Sequence, residues 1–188
     1  MAFTDIEVAN IALGLVGNDR IGALTDQTNP ARTVSTFYNF ARSQVLLHGV
    51  WNFATANASL SKLPTCSNPE FEAEFQLPAD CAKVQKINNS SAYKFRVEGD
   101  RLFCDLSEVS IKYTRDITNA GYFSPEFVEA FATKLAALIC FRLTQNQART
   151  NALINEYEQI ILPRSRTNDA QESNGDEYEV TEFTDVRH

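Results

Sequence analysis

Apolar residues recur every three or four positions near the start of the chain, which is the spacing of one helix face. The first such face is formed by Val8, Ile11, Ala12 and Leu15. Thr4 and Glu7 have the spacing of a capping box at its start, and Gly17 can take the left-handed conformation that ends a helix. We therefore predict a first helix over residues 5–16.

A second helix is predicted to begin at Asn29, taken as its N-cap, because Pro30 follows at the first helical position, where no backbone N–H is needed. Its apolar residues again recur at spacings of three and four, and they are Val34, Phe37, Tyr38, Ala41 and Val45. Gly49 is predicted to end this helix.

Between residues 51 and 115 the apolar period shortens to two, which is typical of strands with one buried face. The alternating apolar residues are Phe71, Ala73, Phe75 and Leu77 in one stretch and Tyr93, Phe95 and Val97 in another. Glu98-Gly99-Asp100 indicates a hairpin turn before a strand over residues 102–104. Val109, Ile111 and Tyr113 indicate a further strand, so the segment predicts short antiparallel strands with one face covered.

The helical period returns after Ser124, an N-cap candidate that Pro125 follows. Its broad apolar face consists of Phe127, Val128, Phe131, Leu135, Leu138 and Ile139. A last helix is predicted from about Gln147 until Pro163. The predicted class is α+β: an antiparallel helical bundle (residues 1–50 and 116–163), an inserted small antiparallel β domain (51–115), and an extended acidic C-terminal tail (164–188).

The chain has 188 residues and a formal net charge of −7. Seven acidic residues and three arginines follow Pro163, which gives −4 for the tail and leaves −3 for the rest. The sequence displays no stripe of lysine or arginine, so tight binding to a phosphate backbone is not expected. No run of about 18 apolar residues indicates a membrane span, and no basic region followed by an apolar run indicates a secretory signal.

The candidate chemistry is sparse. Four cysteines lie apart without CxxC spacing, so free thiols, buried at Cys81, Cys104 and Cys140, are favoured over a zinc site or disulfides. A hydrolase or transferase would have to pair Cys66 or Cys81 with His48 or His188, and none of these has a recognisable catalytic context. His48 precedes the helix stop, where it suits the negative end of the helix dipole. We expect no enzyme activity, cofactor or metal.

Four short segments, in this order, carry a resemblance to a known family. They are Trp51-Asn52-Phe53, then Phe75-Gln76-Leu77-Pro78-Ala79-Asp80, then the strand that ends at Tyr113, and last Phe123-Ser124-Pro125-Glu126-Phe127. Over residues 4–162 the chain resembles the head-to-tail adaptors of short-tailed bacteriophages, the tail tubular protein A family and its head-completion relatives. Trp51, Phe53, Phe71 and Phe75 are interpreted as core packing, because large aromatics at such positions usually fill the interior.

The resemblance implies a structural virion protein at the head-to-tail junction, made in the cytoplasm of a host bacterium. It implies a dodecameric ring between the portal protein and the tail nozzle, through which DNA passes without tight binding. The helices of residues 29–49 and 124–163 are expected to face the portal and neighbouring subunits. The β insert is expected to face the nozzle, with exposed strand positions such as Glu72 and Lys94 in contact. Another phage or prophage ring component, such as a tail-completion protein, is the alternative.

Within the acidic tail, Tyr178, Val180 and Phe183 are apolar residues in an otherwise solvated segment. We expect this segment to dock on the portal or on an adjacent subunit, by adding to a sheet edge or filling a groove. Arg164 and Arg166, just after the last helix, are the expected anchors of its departure point.

Overall fold

Two helices, six strands and two further helices follow one another in the order that the sequence predicts. The computed structural model describes residues 2–90, 92–161 and 163. The helices are α1 (Asp5–Val16), α2 (Asn29–His48), α3 (Pro125–Thr144) and α4 (Gln147–Glu156), and a π-helical turn, Tyr157–Ile161, continues α4. The strands are β1 (Thr55–Ser59), β2 (Ala73–Gln76), β3 (Cys81–Ile87), β4 (Arg96–Glu98), β5 (Arg101–Cys104) and β6 (Ser110–Arg115). The α+β class is confirmed.

Local capping determines where the helices begin. Thr4 and Glu7 form the predicted capping box of α1, and the Ser124 hydroxyl accepts from the Phe127 N–H at the start of α3. The predicted N-cap of α2 is wrong by one residue. Thr28, not Asn29, caps this helix, because its hydroxyl accepts from the N–H of Ala31 and its backbone is extended.

The strands form two antiparallel sheets of three strands each, in the orders β1-β6-β3 and β2-β5-β4. In the first sheet β6 is central, with Tyr113 opposite Ala56 of β1 and Val84 of β3. In the second, β4 and β5 form the predicted hairpin, in which Gly99 takes a positive φ of 59° that suits glycine. The structure thus has two small sheets where the sequence pattern predicts a series of short antiparallel strands.

The alternation between Tyr93 and Val97 does not correspond to a half-buried strand. Only Arg96–Glu98 is extended into β4, all three of its residues are exposed, and Tyr93 precedes it at 44% exposure. These residues are exposed because β4 lies at the edge of its sheet, where it pairs with β5. Phe71 also lies outside β2, half-buried against Phe103, whereas Phe75 is fully buried.

The buried apolar residues fall into two clusters. The first lies among the helices, and α3 packs against each of the other three. The second lies among the strands and centres on Phe75, Leu102 and Ile111. Trp51 belongs to the first cluster, and Phe53 is partly buried against it, although both precede β1. In the described part of the chain no helix is long and apolar enough to span a membrane.

Candidate functional site

The aromatic residues that carry the family resemblance meet where the chain leaves the helices. The rings of Trp51 and Phe53 lie edge-on to the ring of Phe127, with centroids 5.0 and 5.1 Å apart. The Trp51 indole N–H donates to the carbonyl of Val45 at 2.9 Å, and only 4% of Trp51 is exposed. Ser124 and Pro125 start the helix that carries Phe127. These contacts agree with the interpretation of Trp51 and Phe53 as core packing.

Glycine is required at position 49, just after α2, by side-chain packing and not by a left-handed backbone conformation. Its φ of −112° is extended, so no left-handed conformation requires glycine there. A Cβ atom at this position would lie 2.8 Å from Cε2 of Trp51. Glycine is therefore needed because the indole ring passes directly against the backbone.

The returning chain is held to α2 by Arg42, which sequence reasoning missed. The Arg42 guanidinium pairs with the Asp116 carboxylate at 2.5 Å and donates to the carbonyl of Ile117 at 2.7 Å. The Arg42 side chain is only 5% exposed. A second link runs from the Lys83 ammonium in β3 to the carbonyl of Leu47 in the last turn of α2, at 3.3 Å. The end of the strand segment and its third strand are therefore both linked to α2.

Two further residues of the resemblance, Asp80 and Tyr113, meet beside this anchor. The Asp80 carboxylate accepts from the Tyr113 hydroxyl at 3.2 Å and from Arg115 Nε at 2.9 Å. The backbone carbonyl of Asp80 accepts from the N–H of Asp116 at 2.8 Å. Burial and the neighbouring Asp80 carboxylate raise the pKa of Tyr113, which keeps its hydroxyl protonated as a donor.

The remaining residues of the Phe75–Asp80 stretch form contacts within the strand module, by which we mean β1 to β6 and the loops between them. Gln76 donates to the Asp100 carboxylate at 3.0 Å, and this bond lowers the pKa of Asp100. The Leu77 N–H donates to the Asp100 carbonyl at 3.0 Å, and Leu77 is buried. The Pro78 carbonyl accepts from the Cys81 N–H in the turn that leads into β3. The stretch therefore ties the β4–β5 turn to the second core.

Glu74 lies between Ala73 and Phe75, where strand alternation predicts a residue that points to solvent, but it is buried. Its carboxylate accepts from both the N–H (2.8 Å) and the hydroxyl (2.7 Å) of Ser67, and these bonds hold its pKa below the usual range. Arg101 lies 3.7 Å away. Strand alternation alone does not reveal this arrangement, because the partners come from the preceding loop and from β5.

The two positions predicted to face a nozzle are exposed, but they are not strand positions. Glu72 lies in the bend before β2, and Lys94 lies two residues before β4. The physical reason is that both strands are shorter than the apolar alternation suggests. The tail residues Arg164, Arg166, Tyr178, Val180 and Phe183 lie outside the described residues.

His48 and the four free cysteines are the candidate chemical groups among the described residues. His48 is the last residue of α2, and its Nδ1 lies 2.9 Å from the Tyr157 hydroxyl. Cys104 and Cys140 are buried free thiols as predicted, whereas Cys81 is only half-buried. Burial raises the pKa of the Cys81 and Cys104 thiols, which lowers their thiolate fraction. Among the described residues, no group of three or more potential ligands is placed to hold a metal ion.

One side of α2 carries a stripe that includes exposed apolar residues. Phe37, Phe40, Gln44 and Leu47 recur at spacings of three and four on α2, so they line one stripe of that helix. Phe40 is 52% exposed and Leu47 39%. The Arg142 guanidinium lies over the Phe37 ring at 5.1 Å, which places the end of α3, with exposed Phe141, beside the stripe. We call Phe37, Phe40, Leu47 and Phe141 the apolar helical face.

The comparisons with known proteins assign no family. No protein-family model and no curated protein matches the sequence.

Proposed function

We propose that this protein is a ring-forming structural subunit, the head-to-tail adaptor of a short-tailed bacteriophage. In this role the four helices act as an antiparallel bundle that contacts the portal and the neighbouring subunits. The strand module points to the tail nozzle, and the rings together extend the channel for genome retention and ejection. The apolar helical face carries the proposal, because exposed aromatic residues on adjacent helices are typical of protein interfaces.

The location of this face supports the proposed orientation. The face lies on α2 and α3, the helices that the resemblance assigns to the portal and to neighbouring subunits. A closed ring requires two different complementary surfaces on every subunit. The apolar helical face provides one such surface.

The charge of the chain fits a channel whose wall does not bind DNA tightly. A ring repeats the charge of −7 in every copy, and a surface with this excess of carboxylates repels phosphate instead of binding it. The same self-repulsion opposes association of free subunits. We therefore expect the isolated protein to be monomeric and to form its ring on contact with a portal.

The test is electron microscopy of the purified protein alone and mixed with its cognate portal, with light scattering on the free protein. A ring added at the narrow end of the portal, together with a monomeric free protein, is the expected result. A ring on the end of a tail tube instead would assign the chain to the tail-completion proteins. A stable ring without portal at micromolar concentration would contradict templated assembly.

A further inference from the structure

The face of the β1-β6-β3 sheet that is opposite the second core concentrates positive charge. On β6, Ile111 and Tyr113 point into the second core, so the alternate residues Ser110, Lys112 and Thr114 lie on the opposite face. Of these, Ser110 is exposed, Lys112 is half-buried and Thr114 is buried. Lys86 of β3 lies directly opposite Lys112, and Lys83 lies opposite Thr114. Residues directly opposite across paired strands share a face. Three lysines therefore lie on one face, which the sequence alone did not reveal as a basic patch.

This lysine face, defined by Lys83, Lys86 and Lys112, lacks acidic partners. The other residues that share it by register are Thr55, Asn57, Ser59, Ser110 and Thr114, and Gln85 donates to the Thr114 hydroxyl. None of the three lysines forms an ion pair with any residue in the described ranges 2–90, 92–161 and 163. Like charges directly opposite on a sheet destabilise it, so Lys86 opposite Lys112 is unfavourable unless an anionic group lies over the pair.

The chain leaves the described structure close to this face. The Tyr157 hydroxyl lies 2.9 Å from Nδ1 of His48, in the last turn of α2. The Lys83 ammonium contacts the carbonyl of Leu47, the residue before His48. The end of the last helix and one edge of the lysine face therefore meet at the same turn of α2. The C-terminal tail starts only a few residues beyond Tyr157.

The charge of the tail complements that of the face. Residues 176–185 contain five carboxylates and no lysine or arginine, the carboxylates being those of Asp176, Glu177, Glu179, Glu182 and Asp185. Asp176 lies thirteen positions after Pro163, and an extended chain of that length spans up to about 45 Å. The seven residues of β3 extend over only about 23 Å. The acidic segment can therefore reach any part of the lysine face of its own subunit.

We propose that the acidic segment of residues 176–185 docks on the lysine face of its own chain. Its carboxylates pair with Lys86 and Lys112, whereas Lys83 also remains bonded to α2. The tail then acts as an intramolecular cover of the lysine face. It keeps other polyanions, including nucleic acid, from binding to these lysines. This docking requires neither portal nor ring, so its failure is distinguishable from failure of the proposed function.

Lysine labelling followed by mass spectrometry tests the cover directly. The full chain and a chain truncated after Arg166 are treated with an amine-reactive reagent at low salt. We expect Lys86 and Lys112 to react about five- to tenfold more slowly in the full chain, and this protection to disappear at about 0.5 M NaCl. Lys62 and Lys94, which are exposed elsewhere among the strands, serve as controls and should react equally in both chains. Equal reactivity of Lys86 and Lys112 in the two chains would overturn the proposal.

Three further experiments identify the segment that covers the lysines. The triple variant Glu177→Gln, Glu179→Gln and Glu182→Gln should lose the protection while Asp169→Asn with Glu172→Gln, outside the segment, should keep it. Protection that increases with protein concentration would overturn intramolecular docking and assign the segment to a second copy.

In the last experiment, a short fluorescent DNA duplex should bind the truncated chain more tightly than the full chain, and Lys86→Glu with Lys112→Glu should abolish the difference. Equal, Lys86-dependent duplex binding by both chains would make the face a nucleic-acid site and refute the cover.

Discussion

The buried guanidinium of Arg42 pairs with the carboxylate of Asp116, 74 residues later, and so joins the second helix to the end of the last strand. Arg42 is only 5% exposed, whereas Asp116 is 47% exposed. The pair is therefore intermediate between a buried ion pair, whose disruption is costly, and a surface pair, which contributes little.

We expect Asp116→Ala to lower the free energy of unfolding by about 1–3 kcal/mol. Among the described residues, the substitution leaves the buried guanidinium with only the Ile117 carbonyl as a hydrogen-bond partner. Arg115→Gln is the matched control. It breaks the Asp80–Arg115 pair, in which both side chains are more than 40% exposed, and should cost about 1 kcal/mol or less. Urea titrations of both variants measure the difference, and equal losses would contradict the role given to Arg42.

Substitution of two glycines by alanine should have opposite effects. Gly49→Ala places a Cβ atom within 3 Å of the Trp51 indole, which has to move, and we expect a loss of about 1–3 kcal/mol. Gly14→Ala lies within α1 and meets no atom within 4 Å, so it should stabilise by about 0.5–1 kcal/mol. Thermal unfolding, with tryptophan fluorescence to follow Trp51, checks both. A neutral Gly49→Ala would show that the indole adjusts freely.

Glu74 should contribute to the acid sensitivity of the fold. Its pKa is lowered in the folded state by the two bonds from Ser67, so its contribution is present above the unfolded pKa of about 4.3. This contribution disappears as pH falls from there through the lower folded pKa. We expect Glu74→Gln to be less stable at pH 7 but to lose less stability on acidification. Unfolding titrations between about pH 7 and 2.5 measure this, and parallel profiles would contradict it.

The apolar helical face provides a direct test of assembly. Phe40→Glu should leave the monomer folded, because Phe40 is 52% exposed, but should weaken portal-dependent ring formation by about tenfold or more. Tyr122→Glu is the control, since Tyr122 is 67% exposed in the turn before α3 and lies outside this face. Sedimentation with the cognate portal compares the two. Equal impairment would mean that the face has no special role.

The orientation of the subunit is tested by charge reversal at two exposed positions near the strands. Glu72→Lys and Lys94→Glu should impair attachment of the nozzle more than attachment of the portal, because both lie in the strand module. Pull-down assays with each partner measure the two affinities. Stronger impairment of portal binding would reverse the proposed orientation.

Local chemistry made the helices predictable, and the lack of long-range information explains what was missed. The bounds of α1 follow from Thr4, Glu7 and Gly17, which all lie within one turn of the helix ends. The error at Asn29 arose because Thr28 and Asn29 are both good N-caps, and only the backbone geometry distinguishes them. The strand around Tyr93 was overpredicted because a period of two does not say whether another layer covers it.

The residues that join the helices to the strands were the least predictable. Arg42 occupies the buried side of α2 next to Ala41, and its partner is 74 residues away. A charged residue at such a position indicates a buried partner but does not identify it. The lysine face depends in the same way on strand register. Bulges in β3, between Cys81 and Lys83 and between Val84 and Lys86, place Lys86 opposite Lys112.

The strand module is attached at both of its ends, and this has a mechanical consequence. The chain leaves the helices beside Trp51 and returns at Asp116, and the first and last strands between these points, β1 and β6, pair antiparallel with Thr55 opposite Thr114. A force that pulls the module away from the helices is therefore divided between two covalent tethers. Because the two strands are drawn in the same direction, their shared hydrogen bonds are not sheared. Twisting is resisted as well, since a module held at two points cannot swivel about a single bond.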